Sequence, residues 1–310
     1  MQKNKNKKQS VSYAKWGYIF VIPFFVVYFI FTLYPQILTV YNSFFENYRQ
    51  GLTQIGPNYV GFDNYIKLFT TQTNGVIDIF KYFMNTMIMW VAGAVPQFAV
   101  ALMLALLFTS TRLNLKGQGA AKTIIYMPNL IMASAFAMLF FSLFSTTGPI
   151  NKMLVGTGML DKAYDFLAHA GWARALVAMM NFLMWFGNTT IVLMAGIMGI
   201  DESLFESARI DGANSTRVFL DITLPLLRPI LVYAMITSLI GGIQMFDVPQ
   251  ILSKGNGAPN RTTFTLIMLL NNYLGGSKNY GMAGAISVIL FIITAILSIF
   301  VFKAMEKKEG

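Results

Sequence analysis

The chain has no cysteine and a single histidine, His169. The first absence excludes disulfide staples, structural zinc of the usual thiolate kind and a thiol nucleophile. The second excludes paired-histidine zinc motifs and undercuts a Ser-His-Asp triad, because His169 reads as a solvated loop residue. No G-x-x-x-x-G-K-[ST] run is present to cradle phosphates with its amides. The nearest look-alike, from Gly156 to Lys162, lacks the second glycine at the required place. The chain therefore has no site of its own for ATP hydrolysis. Charge is scarce as well: charged residues make up 12% of the chain, against about 25% in a soluble domain. With 55% hydrophobic residues over 310 positions, too little polar surface is left to keep a globule in solution.

What is present is a set of long apolar runs. A helix needs roughly 20 largely apolar residues to cross the hydrocarbon core. Six stretches qualify, at about 16–38, 84–108, 123–145, 174–199, 230–251 and 281–302. They are continuous rather than alternating, which excludes a β-barrel. The first run is too long for the core of a signal peptide, and no small-residue cleavage site follows it, so it reads as a retained span. The expected fold is all-α, a polytopic membrane protein with six transmembrane helices.

Lys and Arg positions set the orientation. The N-terminal side carries Lys3, Lys5, Lys7, Lys8 and Lys15, then the groups Arg112/Lys116/Lys122, Arg209/Arg217/Arg228 and Lys303/Lys307/Lys308. The other side carries fewer, scattered from Arg49 to Lys278. This bias places both termini in the cytoplasm. It also explains the net charge of +10 as topology, so no nucleic-acid partner is implied. Residues 1–15 form a basic cytoplasmic tail suited to anionic lipid, and 16–310 the transmembrane domain. The external segments 39–83, 146–173 and 252–280 are too short to be independent domains. The amphipathic piece Gly61–Phe69 suits the membrane surface.

The segment between spans four and five stands out. Asp201, Glu202, Glu206, Asp211 and Asp221, five of 13 acidic residues, fall within some thirty positions. Asp201 is placed to cap a short helix whose apolar side is Leu204, Phe205, Ala208 and Ile210. Asp211-Gly212 breaks that helix. Asn214 or Ser215 caps a second one, which Pro225 is expected to end, with Pro229 at the start of span five.

Glu206-Ser207-Ala208, Gly212 and Ile222-Thr223-Leu224-Pro225 match the spacing E-A-A, three residues, G, nine residues, I-x-L-P. This loop resembles that of binding-protein-dependent ABC importer permeases, and the fuller string around it resembles the carbohydrate branch related to maltose and glycerol-3-phosphate permeases. Ser207 departs from the usual alanine but is also small. Asn85-Thr86, Tyr126-Met127-Pro128, Gly148-Pro149-Ile150-Asn151 and Phe246-Asp247 are similar to further landmarks, so the likeness covers most of the chain.

The resemblance implies a type I importer permease in a prokaryotic cell membrane, not an enzyme. It implies no cofactor in this chain, with ATP and magnesium on a partner ATP-binding subunit dimer. It also implies a second homologous permease, an extracytoplasmic sugar-binding protein and a sugar substrate. The loop at 200–229 becomes the coupling loop: Glu206, Ser207, Ala208, Asp211, Gly212, Ala213, Leu224 and Pro225 would meet or shape the contact with the ATPase.

Polar residues inside spans are costly unless they line a cavity or bond a neighbouring helix. Candidates for the substrate pathway are Asn129 and Ser134, then Asn181, Trp185 and Asn188, and finally Ser238, Gln244 and Asp247. Asn181, Trp185 and Asn188 share one helical face. The rival reading, an ion-coupled secondary transporter of a small polar solute, would need intramembrane ionisable groups, and only Asp247 is a candidate.

Overall fold

The computed structural model describes residues 14–73, 75–110, 117–276 and 278–306. Most of the expected tail, together with Arg112, Lys116, Lys307 and Lys308, lies outside the described residues. Six segments are long and apolar enough to cross a membrane: Lys15–Asn42, Asp78–Thr109, Ala133–Gly156, Ala170–Met198, Ser215–Leu252 and Tyr280–Met305. They are called spans one to six below.

Spans two and four pack along their length and form the centre of the molecule. Small residues permit the close approach, as expected between membrane helices. A Cβ on Gly93 would sit 2.8 Å from the Ala178 carbonyl. Gln97 Nε2 donates to Thr189 Oγ1 across the same interface at 2.8 Å, which satisfies a buried amide. Towards the loop between spans four and five, Ala101, Ala105, Leu193, Ile197 and Leu227 close the contact. Spans five and six and the short helix Leu266–Gly275 add a second cluster around Tyr82, Leu239, Ile243, Leu266 and Ile286. Span one packs on span six through its last turns, Tyr34–Asn42. Its apolar remainder, from Trp16 to Phe31, is exposed on the single chain, as a lipid-facing helix is.

Three spans depart from the uninterrupted helices read from hydropathy. The run at 123–145 divides into Gln118–Leu130 and Ala133–Phe144, which part where Ile131 becomes extended at ψ 133°. The helix Gln118–Leu130 lies against span four, where a Cβ on Gly187 would collide with the Ile125 carbonyl. Span five breaks at Gln244–Phe246, between Leu224–Ile243 and the six-residue helix Asp247–Leu252.

The third departure corrects the reading of Pro225. It does not end a helix: the chain runs helically from Ser215 to Ile243. Proline lacks an N–H, and its ring crowds the carbonyl four residues back. Here the turn just before it widens into a π-turn, Phe219–Thr223, whose closing bond runs from the Leu224 N–H to the Phe219 carbonyl five residues back. The wider turn makes room for the ring. Span one repeats the device before Pro35, with a π-turn at Phe29–Leu33 closed by the Tyr34 N–H on Phe29. Hydropathy cannot show this, because the compensation lies in backbone register.

Outside the spans, an antiparallel hairpin pairs Phe45–Gln50 with Thr53–Tyr59. The sequence pattern shows no strand there, since neither segment alternates apolar and polar residues. The helix Asp63–Thr70 follows. Asn64 and Leu68 are buried, with Asn64 Nδ2 donating to the Ser43 and Phe45 carbonyls at 2.9 and 3.0 Å. Phe62, Ile66 and Phe69 remain exposed, so the helix has an apolar side open on the single chain.

Asn151, near the end of span three, ties it to the segment before span four. Its Nδ2 donates to the Ser145 and Tyr164 carbonyls at 2.9 and 3.0 Å, and its Oδ1 accepts the Tyr164 N–H at 2.7 Å. The side chain is 1% exposed. Asn151→Ala strands these groups, and each stranded buried group costs roughly 1–3 kcal/mol. The purified protein should therefore melt several degrees lower; an unchanged melting temperature would show that water replaces the amide without loss.

Candidate functional site

The loop between spans four and five forms two helices at an angle. Glu202–Ile210 begins at Asp201, whose carboxylate accepts the Ser203 N–H at 2.9 Å. That bond holds the Asp201 carboxyl below its ordinary range. The cap accordingly contributes above the ordinary carboxylate pKa and is lost as pH falls through the lowered one. The helix closes with Ala213 N–H on the Ala208 carbonyl and Gly212 N–H on that of Arg209. Gly212 sits at φ +75°, the left-handed conformation in which a side chain is strained. Asn214, rather than Ser215, caps the next helix through Arg217 N–H at 2.8 Å.

On the first loop helix, Ala208 is buried and Phe205 half-buried against the chain. Glu206, Ser207 and Ile210 face outward, with Ile210 86% exposed. Asp211 is exposed beside Gly212, and Ala213 is half-buried. Leu224 and Pro225 belong to the helix that continues into span five, so they shape its entry rather than the exposed face.

At mid-span a cavity of about 190 Å³ opens between spans two, four and five. Asn181, Trp185, Asn188 and Ser238 all line it, together with Trp90, Gln97, Tyr233 and Thr237. Trp90 Nε1 donates to Ser238 Oγ at 3.2 Å. Asn181 Nδ2 donates to the Val177 carbonyl at 3.1 Å and contacts Met245 Sδ at 3.3 Å. Its Oδ1 is left without a donor among the described residues. Trp185 and Tyr233 are 46% and 60% exposed, so the cavity is a half-site with its aromatic wall open.

Four other candidates lie elsewhere. Asn129 Nδ2 donates to the Met184 carbonyl at 3.1 Å and ties the third-span region to span four. Ser134 sits just past the break at Ile131, outside the cavity wall. Gln244 falls in the break of span five and Asp247 just beyond it, and both are exposed. Asp247 opens a short helix, so it is not a carboxylate within a continuous span. Trp90, Gln97, Tyr233 and Thr237 were not among the candidates. Their signal was available: Trp90 and Gln97, seven apart, share a face of span two, and Tyr233 and Thr237, four apart, share one of span five.

Gly242 keeps the Trp90 ring in place, because a Cβ there would collide with it. Gly242→Ala should turn the indole away from Ser238 and reduce transport several-fold without preventing insertion. Transport at the normal rate would mean the ring does not shape the cavity.

Residues 72–308 match the family described as the binding-protein-dependent transport system inner membrane component. The chain belongs to this family. As such an inner membrane component it is a multi-pass membrane protein and a transport subunit rather than an enzyme. It is 27% identical over 94% of its length to the lactose transport system permease protein LacF of Rhizobium radiobacter, covering 95% of that protein. It is 30% identical over 88% of its length to the osmoprotective compounds uptake permease protein GgtC of Synechocystis, covering 94% of it. Its fold is that of a bacterial alginate ABC transporter solved with an alginate pentasaccharide-bound periplasmic protein. The TM-score is 0.77 at 24% identity, with 94% of this chain and 95% of that chain covered.

Proposed function

We propose that this permease is one half of the membrane channel of an ATP-driven importer for a neutral sugar, an oligosaccharide above all. The observation that carries the reading is the half-open cavity. Its wall offers indole and phenol faces with amide and hydroxyl groups, which suit sugar rings and sugar hydroxyls. No Asp, Glu, Lys, Arg or His lines it among the described residues, so a charged solute would lie there without a counter-charge. Sugar permeases among the relatives, such as LacF, support the substrate class.

A second homologous permease would close the open side. The loop at 200–229 would dock on an ATP-binding subunit dimer, which holds ATP and magnesium, while this chain needs no cofactor. The exposed Glu206, Ser207 and Ile210 supply that contact, and Gly212 sets the angle of the helix that leads into span five. An extracytoplasmic binding protein would deliver the sugar, and both termini would face the cytoplasm. The ion-coupled alternative loses its one carboxylate, since Asp247 is exposed beyond the break.

Purification of the tagged chain from its own membrane tests the reading. Recovery with a second permease and an ATPase, and sugar uptake that needs ATP, are expected. Uptake by the lone chain on an ion gradient would overturn it.

A further inference from the structure

We propose a second saccharide site in this permease, on the extracytoplasmic side of the cavity described above; the proposal rests on the sugar-importer reading. A separate pocket of about 350 Å³ lies between residues 141–146 of span three, the segment before span four and the turn that follows Asp247–Leu252. That is larger than the mid-span cavity and within the roughly 300–1,000 Å³ of small-molecule sites. Ala173 of this pocket and Asn181 of the cavity are eight residues apart on span four, which places the pocket about 12 Å further out.

Two opposite charges face this pocket without meeting. Asp165 and Lys254 both line it, yet neither forms an ion pair within 4.0 Å among the described residues. Asp165 spends one carboxylate oxygen on the Ala168 N–H at 3.1 Å. Its second oxygen has no hydrogen-bond partner among the described residues. Lys254 Nζ is held 5.1 Å from the centroid of the Phe141 ring, a cation–π contact that fixes the ammonium at the rim.

The backbone under Lys254 is strained. The helix Asp247–Leu252 ends with Lys254 N–H on the Ile251 carbonyl and Gly255 N–H on that of Gln250. In this closure the residue at the Lys254 position is left-handed and is commonly glycine. Lysine occupies it at φ +52°. Lysine keeps this conformation with its charge at the pocket rim, where glycine would carry no charge. Thr146 and Asn256 complete the polar rim.

A carboxylate that accepts and an ammonium that donates, held apart across such a space, suit a ligand whose groups do both. Sugar hydroxyls do. The site takes one saccharide unit arriving from outside, before the sugar reaches the cavity.

The absence of cysteine makes the test direct. Thr146→Cys gives one exposed thiol at the rim, labelled by a membrane-impermeant maleimide in the complete transporter in proteoliposomes. Lactose, maltotriose and arabinotriose are tried first for ATP-dependent uptake and then, without the binding protein, for protection of the thiol. A transported sugar should slow labelling several-fold at millimolar concentration. Protection should vanish in Asp165→Asn and in Lys254→Gly, although glycine relieves the strain and should raise the melting temperature.

If a sugar is transported but does not protect the thiol, the second site is wrong and the importer reading stands. The second site is equally wrong if protection survives both substitutions, or if only the sugar-free binding protein protects. If no sugar is taken up with ATP and none protects, both readings fail.

Discussion

A permease carrying Glu206→Lys will insert and fold but lose sugar uptake at least tenfold, and Gly212→Val will do the same for a different reason. Glu206 is exposed on the face of the loop helix that also presents Ser207 and Ile210. Reversing one charge at a docked surface costs about 2–5 kcal/mol, which is well over tenfold in association. Gly212 fails through the backbone. A Cβ there meets nothing within 4 Å, so space is not the issue. The residue is left-handed at φ +75°, a conformation that costs a branched side chain roughly 1–2 kcal/mol. Valine would redirect the chain towards the helix that enters span five and so decouple the docking face from that span. Asparagine, which tolerates the left-handed region, should keep most of the activity. ATP hydrolysis and sugar uptake measured together in proteoliposomes decide the matter. Uptake at the ordinary rate in both Glu206→Lys and Gly212→Val would remove the docking role.

The other large effect belongs to the cavity. Asn181→Ala should slow uptake at least several-fold, while ATP hydrolysis stimulated by the loaded binding protein persists. The amide is half-buried, and its Oδ1 has no donor among the described residues, which leaves it for a sugar hydroxyl. Losing one buried hydrogen-bond partner costs roughly 1–3 kcal/mol, or about fivefold and more in rate. Trp185→Ala removes the open aromatic wall, one turn along the same face, and should alter which sugars are preferred as well as the rate. Unchanged rates and unchanged preference in both variants would mean that these side chains only pack helices.

The sequence by itself determined how many spans there are and where the two-helix loop between spans four and five lies. Hydropathy is summed over some twenty residues, so it survives local irregularity, and six spans emerged that overlap the observed ones, the third shifted by about ten residues. The loop was legible because its parts are local: a cap at Asp201, a left-handed break at Gly212 and a second cap at Asn214 each depend on a few neighbouring residues.

What the tertiary structure alone decided was which polar residues share a space. Asn181, Trp185 and Asn188 could be grouped by helical periodicity, but Asn129 carries the same chemistry and spends it on the Met184 carbonyl. Trp90 enters the cavity only because Gly242, on another span, leaves room for its ring. The hairpin at Phe45–Tyr59 and the π-turns before Pro35 and Pro225 were hidden for a related reason. Each is fixed by backbone hydrogen-bond register, which composition and periodicity do not encode. Pairing between distant segments depends on the shape of the partner, and a single sequence carries no direct record of that shape.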